Sequence, residues 1–594
     1  MSLTLINGFV IFLKIYKRNK MNYTQTRWTI LPEKPLLQSL LQKELKLSPL
    51  LSKLLINRGI TQPDSAKKFL SSSLNELTPP FLMKDLKKAA RRIIEAIYQK
   101  EKMFVFGDYD VDGITGTAIL KLFLDSVGAH ASFYIPERLQ EGYGLNISAL
   151  EKIRAVGASL VVTVDCGISD YDQVLFARDR GLDVIITDHH EVPEKIPPAY
   201  AVINPKQEGC GFPFKHLAGV GVAFYLIIAI RKLLREEGFW SHGTPPNLRE
   251  YLDLVTLGTV ADIVPLIEEN RIFVKQGLEV IETTQRVGLQ ALKKISGVEN
   301  IPISPILISY RLAPRINVCG RLGQAGKAVK LLTTSDQVEA EKIVKELDEE
   351  NGKRQNIEST IFKDACGMIE ELGQWQNQKV FVFGSSDWHP GVVGIGASRV
   401  VERYYRPTIL IALDGNFGHG SARSIEAFHI YDGLKECQDL LEKFGGHEYA
   451  AGLTIAKNNI NKLRERLNAL VEKTLGPEDF VPKLYIDAQV DLAQINERLV
   501  QEIQTLAPYG ADNPEPLFVS DVLSANYPHI VGNGHLKLRL GNHLADIGAI
   551  GFGLGSLIPE PEAQVRVVFI PEINHWQGTK NLRIKMKGIE IVDQ

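Results

Sequence analysis

The residues best suited to chemistry lie in KMFVFGDYDVDGITG, residues 102–116, where an apolar run ends in Asp108, Asp110 and Asp112. Three carboxylates within five positions repel one another, so their crowding needs a cause. Asp-x-Asp-x-Asp-Gly is also how an EF-hand calcium loop opens, but that loop requires a bidentate glutamate at its twelfth position. Counted from Asp108 that position is Ile119, and Met103–Phe106 reads as a strand where an EF-hand has a helix. A solvated acidic turn is the plain alternative, and this string alone does not exclude it.

The elements around the string decide between them. Short apolar runs (MFVFG, ASFYI, SLVVTVDCG, LDVIITDHH, AYAVINP) alternate with helical patterns such as GTAILKLFLDSVG, SALEKIRAVG and YDQVLFARDRG. That alternation predicts a mainly parallel sheet with helices on both faces. The carboxyl ends of such strands share one edge, where ligands bind. Asp165 ends one run, and Asp188, His189 and His190 end another. Three strands therefore deliver acids to one crevice, which an isolated acidic turn does not explain. Asp262, in TLGTVADIVPL, is a further candidate because a lone charge between apolar stretches is costly. Four or five buried aspartates need counter-charge, and two divalent cations would supply it. Carboxylates with one or two imidazoles suit manganese or magnesium better than zinc. Paired cations roughly 4 Å apart activate water and steady a leaving oxygen in phosphoryl chemistry. Asp165, alone on its strand, is the candidate bridge. Cys166 beside it reads as a small buried thiol, not a nucleophile.

The rest of the chain is consistent with a large globular protein. It has 594 residues, 44% hydrophobic and 23% charged, which suggests roughly three or four domains. A net charge of −2 announces no nucleic-acid partner, so any basic surface must be local. Five scattered cysteines suit a reducing compartment and no cysteine metal site. The apolar stretch in LTLINGFVIFLKIYKRNK is too short to span a bilayer, and its basic residues follow the run, unlike a secretory signal. Residues 1–20 are read as an extension ahead of Met21, and the chain as cytoplasmic. Boundaries are expected at 21–80 for a helical segment, 81–275 for the acid-bearing α/β domain, 276–375 for a helical connector, 376–475 for a second α/β domain and 476–594 for a β-rich tail. The connector is expected to be one long helix over 327–373, kinked near Gly352. The second α/β domain opens with KVFVFGSSDWHPGVVGIGASRV and carries glycine loops in GNFGHGSARS and KFGGHEYAAGLTI. His447 between such glycines suggests backbone approaching a ligand, and Arg423 in GSARS suits a phosphate clamp. In the tail, HLKLRL, AQVRVVFI and NLRIKMKGIEI alternate as half-buried strands of a small barrel do.

GDYDVDG, VDCG, DHHE and GTVADIVPL resemble, in order, the four motifs of the DHH phosphoesterase superfamily, and GGHEYAAG resembles the signature of its DHH-associated domain. IPERLQEGYGL, LAPRINVCGRLGQA, WHPGVVGIGASRV and YGADNPEPLF narrow the resemblance to the RecJ family of single-strand-specific exonucleases, over about residues 24–594. The resemblance implies two α/β domains joined by a long helix and followed by an OB-fold barrel. It implies degradation of single-stranded DNA from the 5′ end to mononucleotides, with Mn2+ or Mg2+, in recombination and repair. By motif position Asp110, Asp112, Asp165, His189 and Asp262 are the expected metal ligands. Asp108 joins them, since Phe106 stands where some members have a ligating histidine. His190 is expected to face the scissile phosphate, with Asp188 and Asp165 in the catalytic group.

The same resemblance assigns substrate contacts to Arg138, Arg315, Asn317, Arg321, Ser421, Arg423, Gly445, Gly446 and His447. On the barrel it suggests stacking by Trp576, Tyr527 and His575, with Lys537, Arg539, Arg583, Lys585 and Lys587 tracking phosphates. The implied partners are single-stranded DNA, a helicase and a single-strand-binding protein, with no membrane and a monomeric enzyme. Two other readings are a phosphodiesterase for short oligoribonucleotides or cyclic dinucleotides, and a non-enzymatic DNA-binding scaffold. The chain length and the β-rich tail oppose the first. The presence of every expected acid and histidine opposes the second.

Overall fold

The computed structural model describes residues 26–137, 141–321, 325–543, 545–576 and 579–592. The extension at 1–20 and Arg138 lie outside these residues, as do the side chains of Arg321, His575 and Trp576. Among the described residues no helix is long and apolar enough to cross a membrane. The chain divides into two compact units, one built from Lys68–Lys353 with Pro508–Asn513 and the other from the remainder.

In the first unit five strands form one all-parallel sheet: β1 (Lys102–Gly107), β2 (His130–Tyr134), β3 (Ala158–Val164), β4 (Asp183–Thr187) and β5 (Ala201–Ile203). Their order is β2-β1-β3-β4-β5. Both faces are buried, as parallel sheets require. Met103, Val105, Leu160, Val162, Val164 and Ile185 pack into one core, and Phe106, Val161, Val184 and Ile186 into the other. The order turns back between β1 and β3, so the residues just beyond them face a crevice. Helix α1 (Val111–Ser126) leaves β1 and is buried along most of its length. It packs on α2 (Gly219–Glu236) and α3 (Leu252–Ala261), and α4 (Glu268–Thr283) packs on α3.

The expected single helix over 327–373 is two. Ala325–Thr333 ends before α5 (Gln337–Glu371) begins. Asp336 N donates to Thr334 Oγ1 at 3.1 Å, and Asp336 Oδ1 accepts from Val338 N at 2.8 Å. Short polar side chains compete with the helix for its own backbone and start a new one. The helix α5 runs continuously through Gly352, and the division between the units falls one residue later.

The second unit carries a mixed five-stranded sheet: β6 (Phe381–Ser385), β7 (Thr408–Asp414), β8 (Phe417–Arg423), β9 (Leu441–Gly446) and β10 (Ala450–Ala456). Its order is β9-β10-β8-β7-β6, parallel only between β6 and β7. Helix α6 (Val393–Tyr404) packs on β7 and β8. The tail forms β11 (Leu523–Val531), β12 (His535–Gly541), β13 (Asp546–Gly551), β14 (Gln564–Trp576) and β15 (Thr579–Ile591). These pair in the order β14-β11-β12-β13-β15, and β14 also pairs with β15. That pairing closes a barrel of the OB type and removes its edges. The strand Arg27–Ile30 pairs in parallel with Lys483–Ile486 in the same unit.

The helix–sheet contact behind the acidic edge is very close. A Cβ at Gly116 of α1 would lie 2.5 Å from Val164 Cγ1 and 3.3 Å from Val220 Cα. Gly→Ala inside a helix ordinarily stabilises by about 0.5–1 kcal/mol. Here overpacking reverses the sign: Gly116→Ala should destabilise by about 1–3 kcal/mol, read as a lower urea midpoint.

Candidate metal centre

The acidic side chains are placed by the ends of two strands and two helices. Asp108 follows β1 and is buried. Asp110 caps α1, its Oδ1 accepting from Asp112 N at 2.9 Å and Gly113 N at 3.1 Å. Asp112, in the first turn of α1, accepts from Gly219 N at 2.6 Å and Val220 N at 2.8 Å. Its carboxylate thus sits on the N-terminus of α2, where backbone N–H groups favour an anion. Asp165 follows β3 at φ 63°, a left-handed conformation rare for a residue with a side chain. A Cβ at Gly219 would lie 2.7 Å from Asp165 Oδ1, so glycine is required there. Asp262 ends α3, and Ile263 after it turns the chain at φ 61°.

These groups converge on His189. Its Nε2 lies 3.1 Å from Asp165 Oδ1, 3.6 Å from Asp262 Oδ2 and 3.9 Å from Asp112 Oδ2. Three overlapping triads have ligand atoms within 4.8 Å of one another: Asp112–His189–Asp262, Asp108–Asp110–Asp165 and Asp165–His189–His190. Asp165 belongs to two of them. Phe106 packs in the core and stacks on Tyr134 with ring centroids 5.5 Å apart, so it faces away from the acids.

The electrostatics fit a cation. Asp165 Oδ1 and Asp262 Oδ2 are buried and accept no hydrogen bond. Burial, then Asp112 and Asp110, push both carboxyls well above the ordinary range. Burial and Asp110 raise Asp112 to about 7. Burial, then His190, push His189 down to about 3, so the imidazole is no counter-charge. Carboxylate oxygens with one or two neutral imidazoles match manganese or magnesium.

Asp188 has a different task. It is fully buried and accepts from Ile168 N, His189 N, His190 N and His190 Nδ1, at 3.0, 2.7, 3.1 and 2.7 Å. Burial would raise its pKa, but His190 outweighs it and holds the carboxyl below the ordinary value. In turn Asp188 and nearby carboxylates outweigh burial at His190 and raise the imidazole.

Other expected contacts fall less simply. Asn317 Oδ1 accepts from Val111 N at 3.1 Å, steadying the start of α1. Arg315 pairs with Asp348 at 2.8 Å and donates to the Arg311 carbonyl. In the second unit Arg423 Nη1 donates to Ser421 Oγ at 2.9 Å, and a Cβ at Gly394 would lie 3.0 Å from Arg423 Nη2. Gly445 and Gly446 end β9, and His447 N donates to the Ala450 carbonyl. On the barrel Tyr527 is 77% exposed. Arg539 pairs with Asp546, Arg583 with Glu572, and Lys585 with Glu515.

Two residues at the metal centre went unnoticed in the sequence. Tyr143 donates to the Asp165 carbonyl at 3.1 Å, and its hydroxyl lies 3.3 Å from His190 Nδ1. Asp170 anchors that loop by accepting from Leu145 N at 2.7 Å. The available signal was a tyrosine between Gly142 and Gly144, both at positive φ. Behind the centre, Leu266 N donates to the Ala511 carbonyl at 2.8 Å, and Gly510 lies directly against the Leu266 side chain.

The parallel-sheet acid cluster, the second mixed α/β sheet and the closed barrel define a three-part DHH protein. Residues 102–259 match the DHH family, N-terminal domain, 377–473 the DHHA1 domain and 486–588 the RecJ OB domain. The chain is 39% identical over 575 residues to the single-stranded-DNA-specific exonuclease RecJ of Bacillus subtilis (strain 168), covering 96% of this chain and 71% of that one. Its identity to the Escherichia coli (strain K12) RecJ is 35% over 561 residues, covering 92% and 96%. The crystal structure of RecJ in complex with Mn2+ from Thermus thermophilus aligns at a TM-score of 0.81 and 30% identity, covering 96% of this chain and 80% of that one. The chain belongs to the RecJ family of single-stranded-DNA-specific exonucleases.

The raised carboxyls give the metal-free protein a pH signature. A carboxyl raised on folding stabilises fully below its unfolded value, 3.8, and loses that contribution as pH rises through its folded value, about 7 for Asp112. His189 opposes this only below its unfolded value of 6.5. In EDTA the melting temperature should therefore rise as pH falls from about 8.5 to about 6.5, and Mn2+ should stabilise more at the higher pH. Thermal melts check this, and Asp165→Asn should flatten the slope.

Proposed function

We propose that the protein is a single-stranded-DNA-specific exonuclease that hydrolyses phosphodiester bonds from the 5′ end and releases 5′-mononucleotides. The observation that carries this reading is the convergence of Asp112, Asp165, Asp262 and His189, with two buried carboxylate oxygens that accept no hydrogen bond. Asp112, His189 and Asp262 would hold one divalent cation, Asp108 and Asp110 a second, with Asp165 shared. Such a pair, Mn2+ or Mg2+, lowers the pKa of an attacking water and neutralises charge on the phosphate oxygens.

The chain's own groups supply orientation and proton control. Asp110 spends Oδ1 on the α1 cap, which fixes how its carboxylate faces the crevice. Asp188 grips His190 through Nδ1 and, with nearby carboxylates, raises its affinity for a proton. The His190 side chain is 40% exposed, so the imidazolium can meet a phosphate or the departing 3′ oxygen and donate a proton. Tyr143 restrains the Asp165 turn through the Asp165 carbonyl. In the second unit Arg423, beside Ser421, would take up phosphate through its planar fork. The barrel would hold the strand, with the exposed Tyr527 stacking on bases. Work on recombination and repair intermediates in the cytoplasm, as a monomer beside a helicase and a single-strand-binding protein, completes the proposal.

A time course on long single-stranded DNA labelled separately at each end, with Mn2+ and with duplex and RNA controls, tests this directly. Immediate mononucleotide release from the 5′ label, with duplex spared, is expected. Release from the 3′ label, or cleavage of only di- and trinucleotides, would overturn it. Arg423→Ala should reduce the preference for 5′-phosphate over 5′-hydroxyl ends roughly tenfold or more, the scale of one charge-assisted bond. An unchanged ratio would remove Arg423 from phosphate recognition.

A further inference from the structure

The start of α4 carries three consecutive buried polar residues, Glu269, Asn270 and Arg271, each 0–1% exposed. Each is fastened to a different piece of chain. Glu269 accepts from Thr78 Oγ1 at 2.6 Å. Arg271 donates to the Phe69 carbonyl at 2.9 Å and the Pro508 carbonyl at 3.4 Å. Asn270 Nδ2 donates to the His216 carbonyl at 2.6 Å and to the Pro265 carbonyl at 3.0 Å.

The two carbonyls held by Asn270 lie in the two loops that shape the metal centre. Pro265 is three residues beyond Asp262, in the turn that opens with Ile263 at φ 61°. His216 precedes Leu217, whose backbone lies near the His189 ring. Two residues further on, Gly219 N and Val220 N grip Asp112. One amide group therefore joins the loop after Asp262 to the segment that grips Asp112 and borders His189. Those three residues make up one of the ligand triads.

We infer that Asn270 is a positioning residue for the metal centre: its amide fixes the separation between Asp262 and the Asp112–His189 pair, and so sets the affinity of the cation they hold. The inference rests on the reading of Asp112, His189 and Asp262 as cation ligands. Groups behind the ligands ordinarily alter affinity by about 10–100-fold when removed. Asn is suited to the task because one NH2 supplies two donors to two carbonyls. An aspartate of the same shape would supply none and would face both oxygens with negative charge.

The test is Mn2+ binding to the full chain, followed by the EPR signal of free Mn2+ and independently by the Mn2+-dependent rise in melting temperature. Asn270→Ala should weaken binding by about 10–100-fold, raise the Mn2+ concentration needed for half-maximal cleavage, and recover turnover at saturating Mn2+. Asn270→Ser, which keeps one donor, should fall between, and it carries the test if the alanine variant does not fold. Glu269→Gln is the control: it disturbs the same buried turn of α4 but not a loop of the metal centre, so it should lower the melting temperature without changing Mn2+ affinity. Wild-type affinity in both Asn270 variants, or an equal loss in Glu269→Gln, would overturn the positioning role. Failure of the wild-type chain itself to bind Mn2+ would instead overturn the ligand reading on which it rests.

Discussion

Everything at the acidic edge depends on the mutual repulsion of carboxylates held in a medium that cannot screen them. Water would disperse this charge, but the parallel sheet and its two cores exclude it. The chain answers with fixed backbone dipoles. The N-terminus of α2 takes Asp112, the first turn of α1 takes one oxygen of Asp110, and the turn after β4 wraps Asp188. What is left over, chiefly at Asp165 and Asp262, is charge reserved for a ligand. Asp165 is also held in a left-handed conformation that costs of order 1–3 kcal/mol. A site that combines strain with unneutralised charge is organised for binding at the expense of stability.

The two histidines of one motif illustrate how position divides labour between identical side chains. His189 faces the acids and loses affinity for protons, which leaves a neutral imidazole there. His190, one residue on, points to Asp188 and gains proton affinity. Successive residues at a strand end turn to different sides, so one dipeptide presents a neutral imidazole to the acids and a more basic one to Asp188.

Much of this was legible in the sequence because periodicity and strand termini are local. The five parallel strands, the acids at their ends and the alternating strands of the barrel all follow from patterns of a few residues. The polar supports were harder to read. Asp188 collects four donors and Asn317 Oδ1 accepts from Val111 N, and neither set of partners is marked by a short motif. Asp170 and Asn270 carry no signal of their own, because they hold backbone groups of other loops, and the glycines beside Tyr143 mark a turn without naming its partner. The helical spacing of Leu347, Ile357, Ile361, Ala365 and Ile369 lies wholly beyond the break at Thr334–Asp336, where TTSDQ carries no apolar residue and side-chain capping interrupts the helix.

The assignment of Pro508–Asn513 to the first unit has a consequence for how the protein is made. A ribosome delivers the five strands, their helices and every proposed ligand by residue 262, yet Leu266 lacks the Ala511 carbonyl until about 250 more residues have been added. The second unit waits in the same way, since Arg27–Ile30 has no strand partner before Lys483–Ile486. Neither unit is complete until the other is largely synthesised. The nascent chain therefore carries an unfinished metal centre through most of its translation.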